Sequence, residues 1–79
     1  MNDSIVREAI VDQLGARGYR LAVDEHETDL ISAGVNSVNL VRVMSALEET
    51  FDIEFEAAGF FDESVTVARL AAEIIRRIA

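Results

Sequence analysis

The sequence predicts an all-α fold, a small four-helix bundle of three longer helices and one short one, with a long loop between the first two long helices. Three observations predict it. Apolar residues recur at three- and four-residue steps in three segments, residues suited to capping precede them, and one alternating segment has no strand to pair with. A chain of 79 residues buries one compact core, so we expect a single domain over residues 1–79.

The first helix is predicted over residues 4–16. Asp3 or Ser4 can accept a hydrogen bond from the first turn and so act as the N-cap. Gly15 and Gly18 are expected to bound the end of the helix. Its buried stripe advances by four residues and is widened by two neighbours: Val6, Ile10 and Leu14, with Ile5 and Ala9.

Residues 18–33 are predicted to form a long loop. Tyr19, Leu21 and Val23 alternate with polar residues as a strand would, but an isolated strand is not stable. We therefore expect these side chains to pack onto the helices. Leu30 and Ile31 should anchor the far end of the loop in one helical turn.

The second helix has the clearest pattern and is predicted over residues 37–50. Steps of four, three and four residues define its core stripe, which Val43 flanks. At 100° per residue, a second set falls on the opposite side and should face solvent. The core stripe is Leu40, Met44, Leu47 and Phe51, and the solvent side is Val38, Arg42, Ser45 and Glu49.

A connector at 53–64, with a short helix at 57–61, should lead to the last helix. Thr66 is expected to cap that helix, with Val65 and Leu70 forming a hydrophobic staple around the cap. Glu73 and Arg77 are four residues apart and can pair. The predicted buried face comprises Val67, Leu70, Ala71, Ile74 and Ile78.

The start of the second helix carries the most informative residues. Asn36 is a suitable N-cap, with Val35 and Leu40 as its staple pair. Ser37 is then the first helical residue, so its hydroxyl is free of capping and should face solvent. Gly34 permits the tight turn before it. Free N–H groups and the positive end of the helix dipole favour a phosphate ester here, although such serines are also ordinary helix-start residues.

Composition excludes several classes of function. There are 15 acidic and 7 basic residues, a net charge of -8, which disfavours nucleic acid and favours a basic protein surface. The chain has no cysteine and one histidine, so we expect no disulfide and no metal site. It has no apolar run long enough to span a membrane and no signal-peptide pattern, so we expect a soluble, cytoplasmic protein. We also expect it to be a monomer.

Two weaker patterns favour simple interpretations. Asp24, Glu25, Glu27 and Asp29 lack calcium-loop spacing and are interpreted as a solvated acidic loop. His26 and Ser37 could suggest a hydrolase, but no nucleophile elbow accompanies the serine.

Several residues together form a longer pattern: Asp29-Leu30, Gly34-Val35-Asn36-Ser37-Val38, Val41, Met44, Leu47-Glu48-Glu49 and Phe51-Asp52. This pattern closely resembles the acyl carrier protein family, which has D-L…G-x-D-S-L followed by a helix ending in L-E-E-x-F-x. The resemblance extends over nearly the whole chain and is weakest before Asp24.

The resemblance implies a non-catalytic four-helix carrier. A phosphopantetheinyl transferase would transfer 4′-phosphopantetheine from coenzyme A to Ser37 with magnesium. The thiol of that arm would hold an acyl or aminoacyl group as a thioester. A loading enzyme and downstream synthase or modifying enzymes would act on it. The absence of cysteine fits a thiol supplied by the cofactor.

The chain departs from the family at three positions. Asn36 replaces the usual aspartate, while Asn39 and Arg42 occupy outward positions that are often acidic. A less acidic helix face would disfavour basic docking patches, which suggests a discrete carrier of a specialised polyketide, hybrid or aminoacyl pathway. A housekeeping fatty-acid carrier, an unmodified acidic helical adaptor, and neutral variation on a solvated face are the alternatives. The expected docking residues are Val38, Arg42, Ser45, Glu48 and Glu49.

Overall fold

The regular structure of the protein is helical. A computed structural model describes residues 2–78, apart from the side chains at 23, 57 and 58. The chain forms α1 (Asp3–Ala16), α2 (Ser37–Phe51), the four-residue α3 (Ala57–Phe60) and α4 (Val67–Ile78), with a 3-10 turn at Val23–Glu25.

The predicted all-α class is confirmed, with three long helices and no strand between residues 2 and 78. A four-helix bundle stays a prediction, because α3 is a single turn. None of the helices in this part of the chain is both long and apolar enough to cross a membrane.

Helix α1 begins one residue earlier than predicted. The side chain of Asn2 accepts a hydrogen bond from the N–H of Ile5 at 2.9 Å and caps the helix. The predicted cap at Asp3 or Ser4 is therefore wrong. Because Asn2 takes the extended conformation of a cap, Asp3 is already helical and its carboxylate pairs with Arg7 at 2.7 Å.

One core is formed where α1 packs against α4 and α2. The predicted stripes of the three long helices supply most of it, joined by residues of the loop and connector. Its members are Val6, Ile10, Leu14, Leu30, Val35, Leu40, Val43, Met44, Leu47, Phe55, Phe60, Val65, Val67, Leu70, Ala71 and Ile74.

Three isoleucines expected in the core, Ile5, Ile31 and Ile78, are instead exposed. Ile5 is turned by one helical step from the stripe that begins at Val6, and Leu30 takes the single buried place in the turn that contains Ile31. Ile78 lies in the last turn of α4 and is 41% exposed. These three predictions of burial are wrong.

The long loop is fastened to the beginning of α4. The N–H of Leu30 donates to the carbonyl of Val65 at 2.9 Å, and the N–H of Ala68 donates to the carbonyl of His26 at 3.0 Å. Tyr19 is half-buried and packs against the core with Leu21, as predicted. The predicted packing of the Val23 side chain lies outside the described residues.

Helix α4 begins at its predicted cap. The hydroxyl of Thr66 accepts a hydrogen bond from the N–H of Arg69 at 3.0 Å. Glu73 pairs with Arg77 as predicted, and Arg76 adds a second bond, both at 2.6 Å. The hydrogen bond from Arg76 is the main cause of a lowered pKa for Glu73, with Arg77 assisting and partial desolvation opposing.

Candidate functional site

A helical turn at 30–33 leads into the candidate site. It ends in a motif in which the N–H of Val35 donates to the carbonyl of Leu30 at 3.0 Å. Gly34 occupies the left-handed position of this motif with φ of 106°, where a side chain would strain the backbone. The turn therefore fixes the direction in which the chain enters α2.

Asn36 caps α2. Its backbone is extended, and its side-chain oxygen accepts a hydrogen bond from the N–H of Asn39 at 2.8 Å. Val35 and Leu40, on either side of the cap, are both buried. Because the start of the helix is held by this bond and by two buried side chains, the next residue has a defined position.

Ser37 is the first residue of α2, and its side chain is exposed. Its hydroxyl makes no hydrogen bond to any residue from 2 to 78, since Asn36 provides the cap. The N–H groups of Ser37 and Val38 precede the first main-chain bond of the helix, from Leu40 to Asn36 at 3.0 Å. An ester phosphate on this hydroxyl would therefore lie at the positive end of the helix.

A shallow depression of about 320 Å³ lies beside the serine. Ser37, Val38, Val41 and Arg42 line it. Val38 is 62% exposed and Val41 is 48% exposed, so the surface beside the hydroxyl is apolar. The sequence-based docking set omits Val41, although its position four residues after Ser37 was a signal that it shares this face.

The remaining predicted docking residues lie farther along α2. Ser45 and Glu49 are exposed, whereas Glu48 is half-buried. The carboxylate of Glu48 accepts a hydrogen bond from the N–H of Phe55 at 2.8 Å and so holds the connector after α2. Part of the acidic character expected at this end of the helix is thus engaged within the protein.

A small crevice of about 70 Å³ lies between α2 and the connector and is much smaller than the depression of about 320 Å³ beside Ser37. Phe60 lies behind the crevice in the core. Its ring packs edge to face against the ring of Phe55, with 5.7 Å between the ring centroids. The lining residues are Val41, Met44, Ser45, Glu48, Phe55 and Phe61.

Asn39 was predicted to lie on the outward face of α2, and this prediction is wrong. It is half-buried, and its amide donates a hydrogen bond to the hydroxyl of Tyr19 at 2.8 Å. This bond ties α2 to the loop that follows α1. The partner is 20 positions away in sequence, so the helical wheel gave no sign of it.

His26 lies in a different depression from Ser37. Its ring accepts a hydrogen bond from Arg7 at 3.1 Å, and both residues line a groove beside α1. The structure therefore does not bring His26 and Ser37 together.

Part of the acidic loop stabilises a turn, because the carboxylate of Glu25 accepts a hydrogen bond from the N–H of Ala22 at 2.9 Å. Residues 2–78 contain no cluster of histidine and acidic side chains suited to a metal ion.

The structure defines a small helical domain with an exposed serine at a helix start. A family model described as a phosphopantetheine attachment site matches residues 4–74, and the chain belongs to this family. The match is consistent with the resemblance to acyl carrier proteins. No curated protein and no solved structure matched the chain.

Membership in this family implies a covalent 4′-phosphopantetheine arm. Such domains are generally non-catalytic, and they interact with phosphopantetheinyl transferases and acyl-processing enzymes.

Proposed function

We propose that Ser37 bears the 4′-phosphopantetheine arm and that the protein presents acyl or aminoacyl thioesters to partner enzymes. The main support is the exposed Ser37 hydroxyl, which Asn36 relieves of capping and holds at the first position of α2. When attached, the arm supplies a thiol, which the chain itself lacks because it contains no cysteine.

Two residues before the serine, Gly34 and Asn36, contribute to the proposed attachment site. Gly34 directs the chain into α2, and Asn36 fixes the geometry that a transferase would meet. The neutral Asn36 retains the capping bond of an aspartate but adds no negative charge beside the phosphodiester.

The outer face of α2 is the proposed docking surface. Its near end is apolar at Val38 and Val41 and positive at Arg42, and only its far end carries acidic residues. A partner protein that binds this face would contact apolar side chains near Ser37 and charged side chains toward the edge of the interface. The docking set comprises Val38, Arg42, Ser45, Glu48 and Glu49, with Val41 added.

The charge of this face supports a specialised polyketide, hybrid or aminoacyl pathway. Arg42 is the single charged residue between Ser37 and Leu47, so a partner with a basic docking patch would meet repulsion near the serine. Capture of the thioester from the native host tests this. The mass of a simple even-chain fatty acyl group would favour a housekeeping fatty-acid carrier instead.

Mass spectrometry tests attachment. Incubation with coenzyme A, magnesium and a broad-specificity transferase should add the mass of one arm to wild type and none to Ser37→Ala. Ser32→Ala removes another exposed serine five positions earlier and should load normally. No gain in wild type, or an equal gain in Ser37→Ala, would contradict the proposal.

Docking is tested by Val38→Asp. This variant should retain the fold and accept the arm, but transfer to or from partner enzymes should slow, because a charge replaces an apolar contact. Ile5→Asp places the same charge on an exposed isoleucine of α1 and serves as the matched control. Unchanged transfer in Val38→Asp with each natural partner would show that the face is not used.

An unmodified adaptor is the second candidate, because the exposed pair Val38 and Val41 could serve a purely non-covalent partner. That function would survive Ser37→Ala in cells, whereas the carrier function would not.

Three further expectations stay predictions within this proposal: the four-helix bundle, the monomeric state and the cytoplasmic location.

A further inference from the structure

Arg42 is an exposed cation and lines the same depression as Ser37. It makes no ion pair or hydrogen bond with any residue from 2 to 78. The other two residues of the depression are Val38 and Val41, which supply no acceptor side chain. The guanidinium is therefore available to an anion placed in this depression.

The shared depression places Arg42 near the serine, although residues five apart lie about 140° apart around the helix axis. Side chains in an α-helix lean toward its N-terminus, and five residues correspond to a rise of about 7.5 Å along the axis. A long arginine side chain spans much of that rise, and a phosphodiester on Ser37 would extend from the opposite end of the same depression.

The surrounding charges reinforce this direction. The first turn of α2 contains no acidic residue, and the cap residue Asn36 is neutral. The acidic residues of α2, Glu48 and Glu49, follow at its far end. The chain has a net charge of -8, but the charged residue of α2 nearest to Ser37 in sequence is the cation Arg42. An anion attached to Ser37 would therefore be attracted to it.

We propose that Arg42 binds the phosphodiester of the arm on Ser37 and fixes the root of the arm along the surface of α2. The inference rests on the proposed attachment at Ser37. A guanidinium can donate two parallel hydrogen bonds to phosphate oxygens, which gives the contact direction as well as charge. Attachment of the arm would then add a stabilising pair to the folded state.

Thermal unfolding of unmodified and arm-bearing protein tests this. The increase in Tm on attachment should be larger in wild type than in Arg42→Gln by roughly 2–4 °C at low salt. In about 1 M salt, where the Debye length is about 3 Å, the difference should largely vanish. Comparing increments removes any effect that Arg42 has on the unmodified fold.

Two further variants control for charge. Arg20→Gln removes an exposed arginine of the loop after α1 and should keep the wild-type increment. Arg42→Lys should recover part of the increment, because it keeps the charge without the paired donors. The phosphorus resonance of the arm should also shift between wild type and Arg42→Gln, but not between wild type and Arg20→Gln.

The outcomes separate the two proposals. Mass spectrometry first establishes that each variant carries the arm. Equal Tm increments and equal phosphorus resonances in loaded wild type and Arg42→Gln would overturn the role of Arg42 while leaving attachment intact. Failure of wild type to load would overturn attachment at Ser37, and the ion pair with it.

Discussion

Replacement of Asn36 by alanine should loosen the start of α2. The substitution removes the oxygen that accepts from the N–H of Asn39 at 2.8 Å. Loss of such a cap costs about 1 kcal/mol, within a range of about 0.5–2 kcal/mol. Since Val35 and Leu40 are buried on either side, the helix start cannot fray without exposing them, so we expect the upper half of that range.

Urea denaturation measures this loss directly. The midpoint should fall with an unchanged slope, and Tm should fall by about 4–8 °C for each kcal/mol. Asn36→Asp should retain the stability of the unmodified protein, because aspartate caps equally well and its charge suits the helix dipole. Arm transfer to Ser37 should slow in Asn36→Ala, because the serine then loses its fixed position.

A second capping asparagine in the chain provides a matched control. Asn2 accepts an equivalent bond from Ile5 at 2.9 Å, and the residue four positions after each cap is buried, Val6 in α1 and Leu40 in α2. Asn2→Ala should therefore also lower the midpoint but leave arm transfer to Ser37 unchanged, because it loosens the other helix. Equal midpoints for wild type and Asn36→Ala, or equally slowed arm transfer in Asn2→Ala, would refute the reasoning.

Three other substitutions test separate parts of the scaffold by the same denaturation assay. Gly34→Ala should cost about 1–2 kcal/mol, because alanine is strained at φ of 106° although no atom lies within 4 Å of the added Cβ. Gly59→Ala, at an uncrowded site in α3 without positive φ, should be neutral or slightly stabilising, and a loss equal to that of Gly34→Ala would count against backbone strain. Tyr19→Phe should cost about 0.5–1.5 kcal/mol by removing the acceptor of Asn39, and a neutral result would mean that water replaces the bond. For Glu73 the lowered pKa means that its stabilising contribution is complete above the ordinary glutamate pKa and is lost as pH falls through the folded value. Glu73→Gln should therefore be less stable than wild type at pH 7, and the difference should shrink as the pH falls below the ordinary glutamate pKa, whereas a pH-independent difference would contradict the ion pair.

Much of the candidate site follows from local sequence. A helix cap depends on residues within three or four positions, so Asn36 and Ser37 can be placed from their immediate neighbours. The hydrophobic period likewise separates the buried side of α2 from the side that carries Val38 and Arg42.

Other features of the site depend on residues distant in sequence. Glu48 is acidic and near an exposed face, yet its carboxylate holds the N–H of Phe55 across the end of the helix. Asn39 turns from the outer face to reach Tyr19. A helical wheel treats each helix alone and has no information about such partners.

The sequence by itself determined the helical class, the cap at Asn36 and the free hydroxyl of Ser37, because these depend on interactions within one or two helical turns. Only the tertiary structure decided that Asn39 and Glu48 are partly engaged within the protein. The physical reason is that the charge of a surface depends on which side chains already have partners, and those partners come from distant segments brought together by the core.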